Sequence, residues 1–293
     1  MGSLKVKMKT KLTFLLSLTF LFLFSGSVYG HESEVVKEYW DNGKLMYEGN
    51  LINGLQEGRQ TTWWDNGVKS GETNYKNGLH EGLEITWSTN GIKTSEISYK
   101  NGKREGLARF WYKSGKKFME LYYKNGKQEG LDTWWYESGK KKIETHWKNG
   151  KKWGRKTKWY KSGKKQSEIH YEDSKEKEEK TWWDNGNLKT EFYFKDQTPT
   201  LWTWWFKSGV KQSEESWKDG ERVKTTNYFK SGKKFIEYQY KKGELFSQTN
   251  FYPTGLKKSI KHFKNGKENG IRKEWSEDGK KTYEANFVDG NEE

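Results

Sequence analysis

From residue 39 onward, short runs of alternating apolar and polar residues are separated by glycine-centred turn signals. Apolar stripes at helical spacing and capping boxes leading into one are both missing from this stretch. The runs are 7–9 residues long, the length of half-buried strands. In the run KKFMELYYK, alternation predicts Phe118, Glu120 and Tyr122 on one face and Met119, Leu121 and Tyr123 on the other. The partner run LDTWWYE follows after one turn. Most turn signals are Asn-Gly or Ser-Gly, and Asn-Gly tolerates the positive φ angles of a type I′ hairpin turn.

The turns are periodic. The glycines that follow an aromatic pair are Gly43, Gly67, Gly91, Gly115, Gly139, Gly163, Gly186, Gly209, Gly232, Gly255 and Gly279. They recur every 24 residues for five steps, every 23 for four, and at 24 again in the last. Four residues before each stands an aromatic, from Tyr39 and Trp63 through Trp275. Five residues after it stands a glutamate, except at Ile260, and eight after it an aromatic, except at Leu51. A second turn lies eleven residues on. Eleven tandem hairpin repeats over residues 39–290 predict an all-β fold. The expected form is an elongated, twisted, single-layer antiparallel β-meander of about 22 strands, on the order of 100 Å long at ~4.8 Å per strand. Rings four before and eight after the glycine share parity, which predicts one packed stripe.

The unit WYKSGKKFMELYYKNGKQEG at 111–130 resembles the MORN repeat variant of bacterial proteins, and the resemblance runs over nearly all of residues 39–290. It implies a string of β-hairpins in one long sheet. Some bacterial members carry an antitoxin label, and related eukaryotic repeats are associated with membranes and phosphoinositides or serve as scaffolds. The Glu-Gly pair after the second turn is present at 57–58, 81–82, 105–106 and 129–130, becomes Trp153-Gly154, and is absent between Gly163 and Gly255. The period shortens over those same copies. A turn one residue shorter predicts altered curvature within roughly 165–255.

The first thirty residues differ from the rest. Lys5, Lys7, Lys9 and Lys11 precede the 13-residue apolar run Leu12–Phe24, and small residues follow to Val28 and Gly30. This is the pattern of a secretory signal, with cleavage expected after Gly30 and a short lead over 31–38. The apolar run is shorter than the ~20 residues a membrane-spanning helix needs. Export to the periplasm, the outer surface or the medium is the implied destination. Without residues 1–30 the chain has 51 basic and 40 acidic residues, a net charge of +11. Such a surface suits an anionic envelope glycan, a lipid surface or an acidic protein, and export argues against nucleic acid as partner. Cysteine is absent and 49 residues are aromatic, so rings rather than disulfides or an aliphatic core must hold the sheet. Open sheet ends allow edge-to-edge self-association.

Candidate chemistry is sparse. The glutamate column is better matched to cross-strand lysine pairing than to acid–base catalysis, which needs two carboxylates in unlike environments. His146, His170 and His262 share one repeat position, about 10 Å apart in neighbouring repeats, too far to share a metal ion. No catalytic triad spacing, phosphate loop or dinucleotide motif is present. The chain therefore reads as a non-enzyme with no cofactor or metal. The row three before the glycine faces opposite to the row four before it. It comprises Trp40, Trp64, Tyr112, Tyr136, Tyr160, Trp183, Phe206, Phe229 and Tyr252. This row is either packed against its neighbours or an exposed binding stripe. The expected function is that of an exported binding or scaffold module. An immunity protein against a toxin and a carbohydrate-binding wall protein are the alternatives.

Overall fold

A computed structural model describes residues 33–293. The signal segment, its cleavage point after Gly30 and the start of the lead lie outside the described residues. Among those described there is no helix, and 24 strand segments follow one another from Ser33–Tyr39 to Asn291–Glu292. Each strand pairs antiparallel with the next, so the sheet is a single-layer meander. Lys267–Glu268 and Gly270–Trp275 are two halves of one strand, interrupted at Asn269. Residues 33–38 form the body of the first strand, with Ser33 opposite Ile52.

The two turns of a repeat are built differently. The second is the expected two-residue turn: Asn53 and Gly54 have φ of 51° and 77°, as type I′ requires. The first is a three-residue loop. Gly43 N–H donates to the Trp40 carbonyl and Trp40 N–H to the Lys44 carbonyl (2.9 and 2.8 Å), and only Gly43 (φ 80°) is left-handed. That is a type I turn closed by a glycine bulge, and not the I′ turn that Asn-Gly and Ser-Gly suggested.

A bulge after this loop changes the faces. Trp63 lies opposite Lys69 and Thr62 opposite Gly71, so Ser70 is an extra residue. The same slip recurs where Trp111 meets Lys117 and Phe110 meets Met119. The two residues of such a bulge point to the same side. Phe118 therefore joins Met119, Leu121 and Tyr123, and packs on Trp134 (centroids 5.1 Å apart). Simple alternation places it with Glu120 instead. By the same inversion the rings four before and eight after the glycine lie on opposite faces. One face carries the former ring with lysine and glutamate. The other carries the latter ring with the buried cluster Ile97, Ala108 and Leu121, flanked by Tyr99, Phe110, Met119 and Tyr123.

The change of period also has a local cause. In the 24-residue copies a second bulge sits in the strand after the type I′ turn, where Glu120 opposes Thr133 and Tyr122 opposes Glu129. Two extra residues are accommodated there, and the glycine of the Glu-Gly pair takes the left-handed angle, as at Gly130 (φ 73°). In the short copies His170 opposes Glu178 and Tyr171 opposes Glu176, leaving a single extra residue. The turn itself keeps two residues, Asp173 and Ser174, both at positive φ. The residue lost from the period is thus a bulge residue, and the turn is not shortened.

Candidate binding surface

Three sets of side chains join successive repeats. On the first face, Lys117 Nζ lies 2.9 Å from Glu120 of its own strand and 5.0 Å over the Trp135 ring of the next repeat. The same ring–lysine–glutamate arrangement holds for Lys69, Lys93, Lys141, Lys165, Lys211 and Lys234. The glutamate column is therefore paired with lysine, but mostly with the lysine three residues earlier on its own strand; the expected cross-strand lysine partner is present at Glu48, Glu191, Glu237 and Glu284. Hydrogen bonds from Lys69 and Lys93 hold the Glu72 and Glu96 carboxyls below the usual carboxylate range, although partial burial pushes them the other way. These partners neutralise one another, so this face contributes little net charge.

At the first-turn end, the row three before the glycine reaches forward one repeat. The indole N–H of Trp40 donates to the Trp63 carbonyl and that of Trp64 to the Trp87 carbonyl, both at 3.0 Å. The hydroxyls of Tyr112, Tyr136, Tyr160 and Tyr252 do the same to Trp135, Trp159, Trp182 and Trp275 (2.7–2.9 Å). Trp183 completes the set at 3.2 Å, while Phe206 and Phe229 hold their places without a polar tip. The polar tips of the row thus satisfy strand-end carbonyls, and the ring faces remain half-buried. Trp64 is the most open, at 37 % exposure.

At the second-turn end, the Glu-Gly pair supplies the link. The carboxylates of Glu57, Glu81, Glu105 and Glu129 accept the turn N–H of Asn77, Asn101, Asn125 and Asn149 in the next repeat (2.5–2.8 Å). Sequence reading noticed the pair but not this role, which needs the register.

The register also exposes a basic ridge. In three consecutive repeats the second turn is flanked by lysines placed directly opposite each other: Lys100 and Lys103, Lys124 and Lys127, Lys148 and Lys151. All six are exposed, and none forms an ion pair with a described residue. Like charges directly opposite each other destabilise a strand pair. Lysines at the other end of the strands are differently placed: Lys44, Lys140 and Lys164 donate to carbonyls of the following turn (2.7–3.2 Å). The recurring tetrapeptide Lys-Asn-Gly-Lys was the available signal for the ridge.

The histidines serve the sheet locally. His146 Nδ1 donates to the Arg155 carbonyl and His262 Nδ1 to the Ile271 carbonyl, both at 2.9 Å, which sets the tautomer. Among the described residues no three histidines or acids are grouped to hold a metal ion. No helix among them is long and apolar enough to cross a membrane.

A meander of hairpins in which each repeat contacts only its neighbours is a repeat module, and its surface is suited to binding. The chain belongs to the MORN repeat variant family, which it matches over more than half its length, at residues 35–53, 56–77, 81–101, 104–125, 128–149, 154–173, 175–196 and 268–289. Between 197 and 267 the strand pairing continues unbroken although no match extends there. No curated protein matches the chain. Among solved structures, the crystal structure of TcdB2-TccC3 aligns with 88 % of this chain and 18 % of its own, at 9 % identity and a TM-score of 0.20. That of TcdB2-TccC3-Cdc42 aligns with 87 % and 16 %, at 10 % identity and 0.17. The chain spans under a fifth of the length of these proteins.

Proposed function

We propose that the protein is an exported, non-catalytic binding module whose basic ridge engages an anionic polymer of the cell envelope. The observation behind this reading is the ridge itself. Lysines stand opposite lysines at three successive hairpin ends, a repulsive arrangement relieved by an external polyanion. Hairpin ends two strands apart recur at ~10 Å, so a linear polymer can run along the ridge and meet two ammonium groups at each step. On the ring–lysine–glutamate face the lysines are paired with carboxylates, whereas the ridge lysines have no ion-pair partner among the described residues. Glu105 and Glu129 lie close by, but their carboxylates accept turn N–H groups. Export rests on the basic, apolar and small-residue order of the first thirty residues.

The reading is tested by incubating the purified protein with isolated envelope polymer, anionic liposomes and a soluble protein extract at rising salt. Retention on the polymer that falls as salt screens the charges is expected. Absence of retention on the polymer would refute it, and retention on liposomes alone would replace the polymer with a membrane.

A further inference from the structure

The row of rings three before the glycine has a recurring companion. In five repeats the bulge residue three after the same glycine packs on the ring of its own repeat. At Tyr136, Trp183 and Tyr252 it is a lysine, whose ammonium sits over the ring at 5.7, 4.6 and 5.6 Å from the centroid. At Tyr112 and Phe229 it is a phenylalanine, with centroids 5.0 Å apart. At Trp64 the companion is Ser70, too short to cover an indole. Between Trp40 and Trp64 the sheet has an open slot of about 480 Å³, whose floor is Met46, Thr62 and Ser70 and whose rim includes Glu38. The equivalent slot further along the sheet is lined by Phe229, Phe235 and Tyr252, and there Lys258 supplies the cation.

We propose that the slot between Trp40 and Trp64 binds a small quaternary ammonium group, which occupies the position that a lysine ammonium holds over the corresponding ring elsewhere in the array. Four observations support it. Both indoles are fixed in place, because their N–H groups are bonded to the Trp63 and Trp87 carbonyls. The face of Trp64 is left for a cation, which an indole attracts more strongly than the other rings do, while Met46 holds the companion position of Trp40. Glu38, exposed at the rim and without an ion-pair partner among the described residues, supplies the opposite charge. Finally, the hydroxyls at the floor are already engaged: Ser70 Oγ donates to Thr62 Oγ1 at 2.8 Å, and the Tyr47 hydroxyl to Gln60 Oε1. At the floor a primary ammonium would find only hydroxyl oxygens already sharing hydrogen bonds, and its one charged acceptor would be Glu38 at the rim. A quaternary one needs none.

The site is separate from the basic ridge, and its test does not depend on where the protein resides. The probe is choline, titrated into the purified protein while indole fluorescence is followed, with 3,3-dimethylbutan-1-ol as the neutral isostere. Saturable quenching by choline, and binding of the isostere weaker by about tenfold or more, are expected from the cation–ring term. Ser70→Lys places an internal ammonium over Trp64 and should abolish choline binding while leaving the far-ultraviolet spectrum of the sheet unchanged. Glu38→Gln should weaken binding without abolishing it. Equal binding of the neutral isostere, undiminished binding by Ser70→Lys, or no saturable change with choline would each overturn the proposal.

Discussion

Asp132 is the least comfortable residue in the sheet, and replacing it should stabilise the protein in a pH-dependent way. It faces the apolar side, opposite Thr145, and is 6 % exposed. Two strands away, the equivalent position is Ala108, completely buried in the aliphatic cluster. The indole N–H groups of Trp134 and Trp147 lie near the carboxyl and favour its anion, but Asp132 Oδ1 and Trp147 Nε1 stay buried and unpaired. Desolvation dominates and pushes the Asp132 carboxyl from 3.8 up to about 6. Below the unfolded-state value the acid is neutral in both states and costs nothing through ionisation. As pH rises toward 6 the unfolded chain ionises first, and stability falls until both states are charged. Roughly two pKa units at ~1.4 kcal/mol each put the cost at neutral pH on the order of 3 kcal/mol. Asp132→Asn removes the charge but keeps an amide to desolvate, so a gain of about 2 kcal/mol near pH 8 is expected, shrinking to near zero below about pH 4. Repeat arrays open locally, so the suitable assay is hydrogen exchange of the strands Lys127–Trp135 and Lys141–Lys148 at several pH values, beside urea melts. A variant no more protected than the parent at high pH, or a gain independent of pH, would refute the reasoning.

The other expectations concern the joints between repeats. Tyr136→Phe keeps the ring but leaves the Trp159 carbonyl without its donor, and should cost about 1 kcal/mol in urea melts. Gly130→Ala meets no neighbouring atom but forces a side chain onto φ 73°, so a loss of about 1 kcal/mol should appear as backbone strain alone. Ser174 and Gln197 hold φ of 67° without being glycine, and replacing both by glycine should raise the melting temperature, each relieving about 1 kcal/mol. The lowered Glu72 and Glu96 carboxyls stabilise the fold above the unfolded carboxylate range. That contribution should fade as pH drops through their folded values, and Lys69→Met should reduce the acid sensitivity of the second repeat.

Most of the architecture is legible in the sequence because the turn glycines recur at a fixed phase and strand alternation is local. The faces are harder to read. One bulge residue after each first turn, such as Ser70 or Phe118, inverts the parity of everything downstream, and nothing in alternation alone reveals an extra residue. The same holds for the Glu-Gly pair, whose glutamate acts on a turn twenty residues away (Glu129 on Asn149). Adjacent positions in a strand separate the row beginning at Trp40 from the row beginning at Tyr39. That its polar tips reach the next repeat required three-dimensional spacing. The ridge was visible as a repeated Lys-Asn-Gly-Lys, but only the register shows the lysines opposite each other.

The most direct measurement compares two charge-matched variants for salt-sensitive retention on isolated envelope polymer. In one, Lys103, Lys127 and Lys151 of the ridge become glutamine. In the other, the exposed Lys113, Lys116 and Lys161 at the opposite ends of the strands do. Selective loss of retention in the ridge variant is expected. Equal loss in both would mean that net charge alone drives attachment, and full retention by the ridge variant would contradict the assignment of that edge.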